Sequence, residues 1–146
     1  MNNLCTDIGF KSVNKKGEQL CGDHMEIVEQ GENSFVMVLA DGLGSGVKAC
    51  ILSTLTSKII STMMANNLTI EDCVSTIAST LPVCEVRKVA YSTFTIIRVV
   101  NNEYAEIIQY DNPMVILLRD GKNYDYPTTT MEIGGKTIYK SKLDLH

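Results

Sequence analysis

The alternation of apolar and polar residues in the first third of the chain predicts a β-hairpin. The residues from His24 to Glu29 and from Ser34 to Ala40 have the pattern of two strands, and the turn-like Gly31-Glu32-Asn33 joins them. The second strand is continuously apolar from Phe35 onward, which predicts burial on both of its faces.

A four-residue repeat then predicts a helix whose apolar stripe packs into the core. The stripe consists of Val47, Ile51, Leu55 and Ile59, with Leu52, Ile60 and Met63 widening it. Asn66-Asn67 ends this helix. A second helix begins at Thr69–Asp72, because a Thr followed three residues later by an acidic residue is typical of a capping box. Pro82 ends the second helix.

The rest of the chain returns to β-branched and aromatic runs separated by turn residues. The predicted strands are Tyr91–Val100, Tyr104–Tyr110, Met114–Leu118, Asn123–Tyr126, Met131–Ile133 and Thr137–Tyr139. Strands, then two helices, then a meander with short turns predict an α+β fold with antiparallel sheets and helices packed outside. A chain of 146 residues has the usual size of one domain, and we expect residues 1–146 to form one.

Composition and charge narrow the functional classes. Apolar residues make up 45% of the chain and charged residues 21%, which excludes a largely disordered protein. The net charge of −4 and the lack of a basic patch argue against binding to nucleic acid. The sequence has no secretory signal and no apolar run near the roughly 20 residues of a membrane span. Five cysteines without a C-x-x-C pair indicate free thiols, so we expect a cytoplasmic protein.

The most informative segment is Val38–Gly46, where an apolar strand leads into an aspartate, a glycine-rich turn and a helix. One interpretation is a phosphate cradle, but the glycine spacing matches neither the P-loop nor the G-x-G-x-x-G dinucleotide motif. A second is a site for Mg²⁺ or Mn²⁺, which prefer carboxylate and carbonyl oxygens, with Asp41 and the carbonyl of Gly42 as ligands. A third is an ordinary turn.

Asp23 favours the metal interpretation. It directly precedes the first predicted strand, so the hairpin brings Asp23 and Asp41 to the same end of the sheet. Two carboxylates that meet there repel each other unless a cation lies between them. We expect His24 to point to the opposite face from Asp23, because side chains alternate along a strand.

Together these residues resemble the stage II sporulation protein E branch of the metal-dependent serine/threonine phosphatases, relatives of protein phosphatase type 2C. The resemblance rests on Gly22-Asp23 paired with Val38–Gly46, and it continues in the family's order through Ser92–Ile96, Asn112–Met114 and Arg119–Gly121. It implies a β-sandwich flanked by helices, with a dinuclear Mn²⁺ or Mg²⁺ centre at one edge.

The resemblance also implies roles for individual residues. Asp41 corresponds to the catalytic carboxylate that bridges the metals, Gly42 to a carbonyl ligand, and Asp23 to the acid near the second metal. Two metals would activate a water for in-line attack on phosphoserine or phosphothreonine, without a covalent enzyme intermediate. The implied substrate is a phosphorylated signalling protein, typically an antagonist of an anti-sigma factor.

The chain departs from the family at its C-terminus. It stops at Lys142–His146, about where the family's further metal-binding acids begin, so the resemblance implies a C-terminally truncated domain with weak metal binding and low or no activity. A non-catalytic regulatory or binding module with the same fold is the alternative interpretation. A nucleotide-binding protein that uses Gly42–Gly46 is a third.

Two further features bear on partners and substrate. Met63-Met64 indicate a surface that a larger parent protein or a homodimer would cover. The sequence has no arginine placed like the phosphate-gripping residue of type 2C relatives. We expect the lysines of the N-terminal half to be solvated surface residues; they are Lys11, Lys15, Lys16 and Lys48.

Overall fold

In the computed structural model, the described part of the chain comprises residues 4–14, 16–17, 19–42, 46–80, 92–133 and 136–145. Its strands are β1 (Asp23–Glu29), β2 (Phe35–Asp41), β3 (Thr93–Val100), β4 (Tyr104–Tyr110), β5 (Leu118–Arg119), β6 (Lys122–Asn123), β7 (Thr129–Ile133) and β8 (Lys136–Asp144). Its helices are α1 (Gly46–Ala65) and α2 (Ile70–Thr80).

Six strands form one sheet in the order β1-β2-β3-β4-β8-β7, and every neighbouring pair in it is antiparallel. Strands β5 and β6 form a second, two-stranded sheet. Asn101 and Asn102 in the tight β3–β4 turn both have a φ of 53°, a conformation that Asn adopts more readily than most residues. The α+β class with antiparallel strands and external helices is therefore confirmed.

The main core lies between the helices and one face of the six-stranded sheet. Its buried residues are Val36, Val38, Phe94, Ile96, Ile108 and Ile138 from the sheet and Ile60, Met64, Ile70, Cys73, Val74 and Ile77 from the helices. Two segments pack against the opposite face. In residues 4–14, Ile8 contacts a small cluster around Phe35 and Val99. In residues 113–128, Thr128 Oγ1 lies 3.0 Å from Ser141 Oγ of β8.

The prediction that β2 is buried on both faces is only partly right. Val36, Val38 and Ala40 are fully buried beneath the helices, but Leu39 on the other face is 40% exposed. The reason is that residues 4–14 cover this face incompletely near the end of β2, where they leave a cavity beside Leu39.

The predicted strand Met114–Leu118 is wrong except for Leu118, which begins β5. At Val115 side chains satisfy the backbone: the Val115 N–H donates to Gln109 Oε1 (2.8 Å), and Tyr126 Oη donates to the Val115 carbonyl (2.5 Å). The Leu117 carbonyl accepts from the Tyr124 N–H (2.8 Å), next to the short β5–β6 pair. The place beside β4 belongs instead to β8, which extends well past the predicted Thr137–Tyr139. The alternation in residues 114–118 therefore reflects an extended segment without a ladder.

Helix α1 buries only part of the stripe that its apolar repeat predicts. Leu52 and Ile60 are buried as predicted, and Ile59 and Met63 pack partly buried against the core. Val47, Ile51 and Leu55 are exposed, while the side facing the sheet is lined by small residues. The buried residues of α1 are Ala49, Leu52, Ser53, Thr56, Ser57, Ile60, Ser61 and Met64. Because short side chains let the helix approach β1 and β2 closely, this packing is favoured over one that would insert a row of Ile and Leu. Met64 is buried and Met63 is partly buried against the core, and the surface that a larger parent protein or a homodimer would cover stays a prediction.

We predict that enlarging a buried serine of α1 destabilises the protein more than truncating an exposed isoleucine. Ser57 is buried, and its hydroxyl donates to the Thr54 carbonyl (3.0 Å), so Ser57→Leu should lower the free energy of unfolding by about 1–3 kcal/mol through overpacking. Ile51→Ala should change it by less than about 0.5 kcal/mol. Urea denaturation of both variants checks the order, and the reverse order would contradict this helix orientation.

The start of α2 is as predicted. Asp72 N–H donates to Thr69 Oγ1 (3.2 Å), and Thr69 N–H donates to Asp72 Oδ2 (3.4 Å), which completes the capping box with Asp in place of the commoner Glu. Pro82, predicted to end this helix, lies outside the described residues. Neither described helix combines the length and apolar character needed to span a membrane.

Candidate metal centre

The pairing of β1 with β2 places the two predicted metal ligands directly opposite each other. Asp23 is the register partner of Asp41, and beyond them the Gly42 N–H donates to the Gly22 carbonyl (2.8 Å). Opposite residues of an antiparallel pair project on the same face, so both carboxylates lie on the face away from the helices. The structure thus brings together Asp23, Asp41 and Gly42, as the sequence predicts.

The carboxyl groups of Asp23 and Asp41 repel each other when both are ionised. Partial desolvation, a hydrogen bond with the Asp23 carboxylate and the negative charge of Asp23 together raise the pKa of Asp41 from 3.8 to about 6. All three effects disfavour a second negative charge at this point. A divalent cation between the carboxylates would remove the repulsion and supply the missing counter-charge.

We predict that the metal-free protein loses stability as pH rises. Because the pKa of Asp41 is raised in the folded state, that state holds its proton more tightly, and the resulting stabilisation disappears between about pH 4 and pH 6. Divalent cations compete with the proton, so their stabilising effect should grow over the same interval.

Denaturant unfolding of wild type and Asp41→Asn, each with a chelator and then with Mg²⁺, measures this effect. The difference in free energy of unfolding between the two proteins should carry the pH dependence, because the variant has no proton to lose at position 41. A difference that stays constant from pH 4 to pH 7 would contradict the coupling of Asp41 to Asp23.

Gly42 is required by a close approach of backbone segments. A Cβ atom at this position would overlap the carbonyl oxygen of Ala49 and lie 2.6 Å from its carbonyl carbon and 2.9 Å from its Cα. These are backbone atoms of the first turn of α1, which cannot swing aside as a flexible side chain could. Glycine therefore allows the end of β2 and the start of α1 to pack together beside the carboxylate pair.

The structure adds neighbours that the sequence patterns did not assign to the site. Thr93 of β3 is the register partner of Asp41 on the side away from Asp23. Its hydroxyl donates to Asn112 Oδ1 (2.6 Å), and Asn112 Nδ2 donates to Thr95 Oγ1 (3.0 Å). This network fastens the turn before Pro113 to β3 next to Asp41. Thr93, Thr95 and Asn112 lie far from Asp41 along the chain, so the family resemblance was the only feature of the sequence that pointed to them.

His24 is not part of the carboxylate pair. As predicted from strand alternation, it lies on the helix-facing side, where its Nε2 is 2.9 Å from Glu26 Oε1. Glu26 Oε2 in turn lies 3.7 Å from Lys58 Nζ of α1. His24 therefore has a structural partner of its own.

Three of the four predicted surface lysines lie within the described residues. Lys16 and Lys48 are exposed, as expected, and Lys15 lies outside the described residues. Lys11 is exposed but lines the same cavity as Asp23. Residues 43–45, which the phosphate-cradle interpretation requires, also lie outside the described residues.

The donor set fits a divalent cation in type but not in number. Two carboxylates and a glycine carbonyl are all oxygen ligands, which Mg²⁺ and Mn²⁺ prefer. Within the described ranges, no group of three or more His, Cys, Asp or Glu side chains is placed to hold one ion. Asp23, Asp41 and Gly42 would therefore supply part of a coordination shell.

Comparison of the sequence with protein families identifies a family that covers most of the chain. The sequence model of the family described as Stage II sporulation protein E (SpoIIE) matches residues 31–139. This match includes Asp41 and Gly42 and begins after Asp23. A comparison with curated proteins found no match.

Two solved structures of SpoIIE from Bacillus subtilis share the fold. A structure of its PP2C phosphatase domain with a fragment of the regulatory domain has 18% identity and a TM-score of 0.56, covering 88% of this chain and 34% of that one. A structure of the phosphatase domain in a crystal form without domain swapping has 16% identity and a TM-score of 0.60, covering 93% of this chain and 60% of that one. The chain thus spans between one third and three fifths of these solved chains, shares the fold of their phosphatase domain, and belongs to the stage II sporulation protein E family.

Proposed function

We propose that this chain carries the Asp23–Asp41 half of the metal centre of a serine/threonine protein phosphatase. The observation that supports this most directly is the register pairing of the two aspartates, with their carboxyl groups hydrogen-bonded at the end of the β1–β2 hairpin. Proteins seldom place two exposed carboxyl groups in direct contact, since like charges opposite each other destabilise a sheet. A cation-binding role explains why this pair is present.

In this proposal Asp41 would be the main carboxylate ligand of the metal centre, Asp23 would hold the second metal, and Gly42 would contribute its carbonyl. When bound, Mn²⁺ or Mg²⁺ would supply a nucleophilic water and would neutralise charge on the phosphoryl group. The residues of this chain position those ions: the β-ladder fixes the separation of the carboxylates, and the close contact of Gly42 with Ala49 fixes the strand end. Catalysis of this kind needs no nucleophilic side chain.

We further propose that the substrate is a phosphorylated signalling protein of the anti-sigma factor antagonist type, acting in the cytoplasm. This substrate class is the one that the resemblance to the stage II sporulation protein E family implies. The cysteines of the described residues, Cys5, Cys21, Cys50 and Cys73, are all free thiols, which agrees with a reducing compartment.

The test is single-turnover hydrolysis of a phosphoserine peptide by the 146-residue chain in excess. Phosphate release should require Mn²⁺ or Mg²⁺ at millimolar concentration and stop when a chelator is added, and calorimetry should show binding of the same ion. Phosphate release that continues in chelator would overturn the proposal, as would failure to bind either ion.

A second candidate function is a non-catalytic module that keeps the phosphatase fold. It is favoured by the incomplete ligand shell, because the described residues supply two carboxylates where hard divalent cations take six or more oxygens. Ion binding in calorimetry without phosphate release under single-turnover conditions would select this candidate.

A further inference from the structure

A cavity of about 310 Å³ adjoins the carboxylate pair. It lies between residues 10–13 and the β1–β2 hairpin, and Asp23 is part of both the cavity and the pair. Its apolar lining consists of Phe10, Val13, Met25 and Leu39. Two of these side chains are largely exposed to solvent, Phe10 at 63% and Val13 at 73%. Covering apolar side chains that are this open to water is favourable, because it removes their apolar surface from water.

The cavity has a fixed distance from the metal ligands. Met25 and Leu39 are register partners on β1 and β2, two positions along the ladder from the Asp23–Asp41 pair and on the same face. A rise of about 3.3 Å per residue places them roughly 7 Å from the carboxylates along the strands. In an extended peptide, residues i and i+2 are separated by that distance, and their side chains point to the same side.

Hydrogen bonds tie the outer wall of the cavity to the strand that carries Asp23. The Cys21 thiol donates to the Val13 carbonyl (3.7 Å) and accepts from the Asp23 N–H (3.4 Å). Asn14 Nδ2 donates to the Gln19 carbonyl (3.1 Å) and closes the loop behind this wall. The wall and the metal ligand are thus positioned by the same short stretch of chain.

Charge complementarity indicates which molecule would enter. Lys11 lines the cavity and has no ion-pair partner among the described residues. Lys11 lines the same cavity as Asp23, a carboxylate that would hold a cation, and a lysine and a cation in one site favour a dianionic phosphate over a neutral ligand. The volume is at the lower end of the roughly 300–1,000 Å³ of ligand sites, which suits one side chain rather than a cofactor.

We infer that this cavity binds an apolar side chain two residues away from the phosphorylated residue of the substrate, while Lys11 contacts the phosphate. The inference rests on the proposed function and adds a sequence preference to it. Covering the exposed faces of Phe10, Val13 and Leu39 with a leucine removes apolar surface from water on both partners, which corresponds to about tenfold in affinity.

The experiment measures binding, by fluorescence anisotropy, of peptides that contain a non-hydrolysable phosphonate analogue of phosphoserine. Four peptides carry either Leu or Ser two residues before or two residues after the analogue, and Mg²⁺ is present throughout. At one of these positions, the Leu peptide should bind about tenfold more tightly than the Ser peptide. Lys11→Gln should weaken both peptides by a similar factor and leave their ratio unchanged.

Matched variants locate the preference. Phe10→Ser combined with Val13→Ser removes the exposed apolar wall and should reduce the preference for Leu to within about twofold. Met114→Ser combined with Ile116→Ser removes similarly exposed apolar side chains (52% and 78%) from the 113–128 segment and should leave the preference intact. Equal binding of Leu and Ser peptides, or a preference that survives loss of Phe10 and Val13, would overturn the inference.

The proposed function is judged separately in the same experiment. If binding of every peptide is unchanged by a chelator and by Asp41→Asn, the metal site itself is absent, and the inference falls with it. If binding requires Mg²⁺ and Asp41 but shows no preference for Leu, only the inference about the cavity is wrong.

Discussion

Replacing Asp41 with asparagine should reduce metal-dependent phosphate release by about 1,000-fold, because a carboxylate that holds catalytic cations contributes several kcal/mol to transition-state stabilisation. Asparagine keeps the shape of the side chain and removes its charge. Affinity for Mn²⁺ should fall by at least about 100-fold, which is more than removal of a group that only orients a ligand would cause. Calorimetry with Mn²⁺ and single-turnover phosphate release measure the two effects.

The same substitution should not damage the fold, which separates loss of chemistry from loss of structure. Asp41 is destabilised by desolvation and by Asp23, whereas an amide at this position can donate a hydrogen bond to the Asp23 carboxylate. With chelator at neutral pH, the variant should therefore be at least as stable as wild type. Asp125→Asn, an exposed aspartate after β6, is the control and should change neither metal affinity nor turnover. Full metal-dependent activity in Asp41→Asn would overturn the assignment of Asp41.

The juxtaposition of Asp23 and Asp41 could be predicted from sequence because a short turn determines it. A hairpin closed at residues 31–33 allows little freedom in register, and a slip of one residue would send one carboxylate to the opposite face. The neighbouring Thr93 could not be placed in this way. It lies more than fifty residues after Asp41, and its position depends on how β3 pairs with β2 after two helices intervene.

The orientation of α1 could not be predicted from apolar periodicity, because two faces of this helix are compatible with burial. One face carries the regular apolar repeat, and the other carries alanine, serines and threonine between Leu52, Ile60 and Met64. Serine hydroxyls on the second face donate hydrogen bonds to carbonyls of the preceding turn of the helix; Ser53, for example, donates to the Cys50 carbonyl (3.1 Å). Burial of these hydroxyls therefore costs little free energy. The face with short side chains turns inward because it allows the helix to pack more closely against the sheet.

The sequence pattern predicts only part of strand β8, because lysines interrupt its apolar residues. Ile138, Ser141 and Leu143 are buried, while lysines at 136, 140 and 142 give the segment a polar composition. One of them stabilises the sheet across strands: Lys142 Nζ lies 4.2 Å from the centre of the Tyr104 ring. The long lysine side chains at the surface of this sheet thus help to stabilise the pairing of its strands, which a hydropathy pattern does not show.

Replacing Gly42 with alanine should destabilise the protein by about 3 kcal/mol, at the upper end of ordinary overpacking. The added Cβ meets backbone atoms of Ala49, so the end of β2 or the first turn of α1 must shift. Either shift also displaces the Gly42 carbonyl and the adjacent Asp41 carboxylate. Urea denaturation should show the loss of stability, and Mn²⁺ affinity measured well below the denaturation midpoint should fall as well.

Gly9→Ala is the matched control, because a Cβ at Gly9 has no atom within 4 Å and the backbone there is not left-handed. It should be neutral or stabilise by up to about 1 kcal/mol through the reduced entropy of the unfolded chain. The two alanine variants therefore separate the general effect of removing a glycine from the specific contact with α1. If Gly42→Ala were as stable as Gly9→Ala and bound Mn²⁺ equally well, the close approach would not exist and the site would not depend on it. If stability fell while Mn²⁺ affinity stayed unchanged, Gly42 would serve the packing of β2 against α1 alone, and its carbonyl would have no place among the ligands.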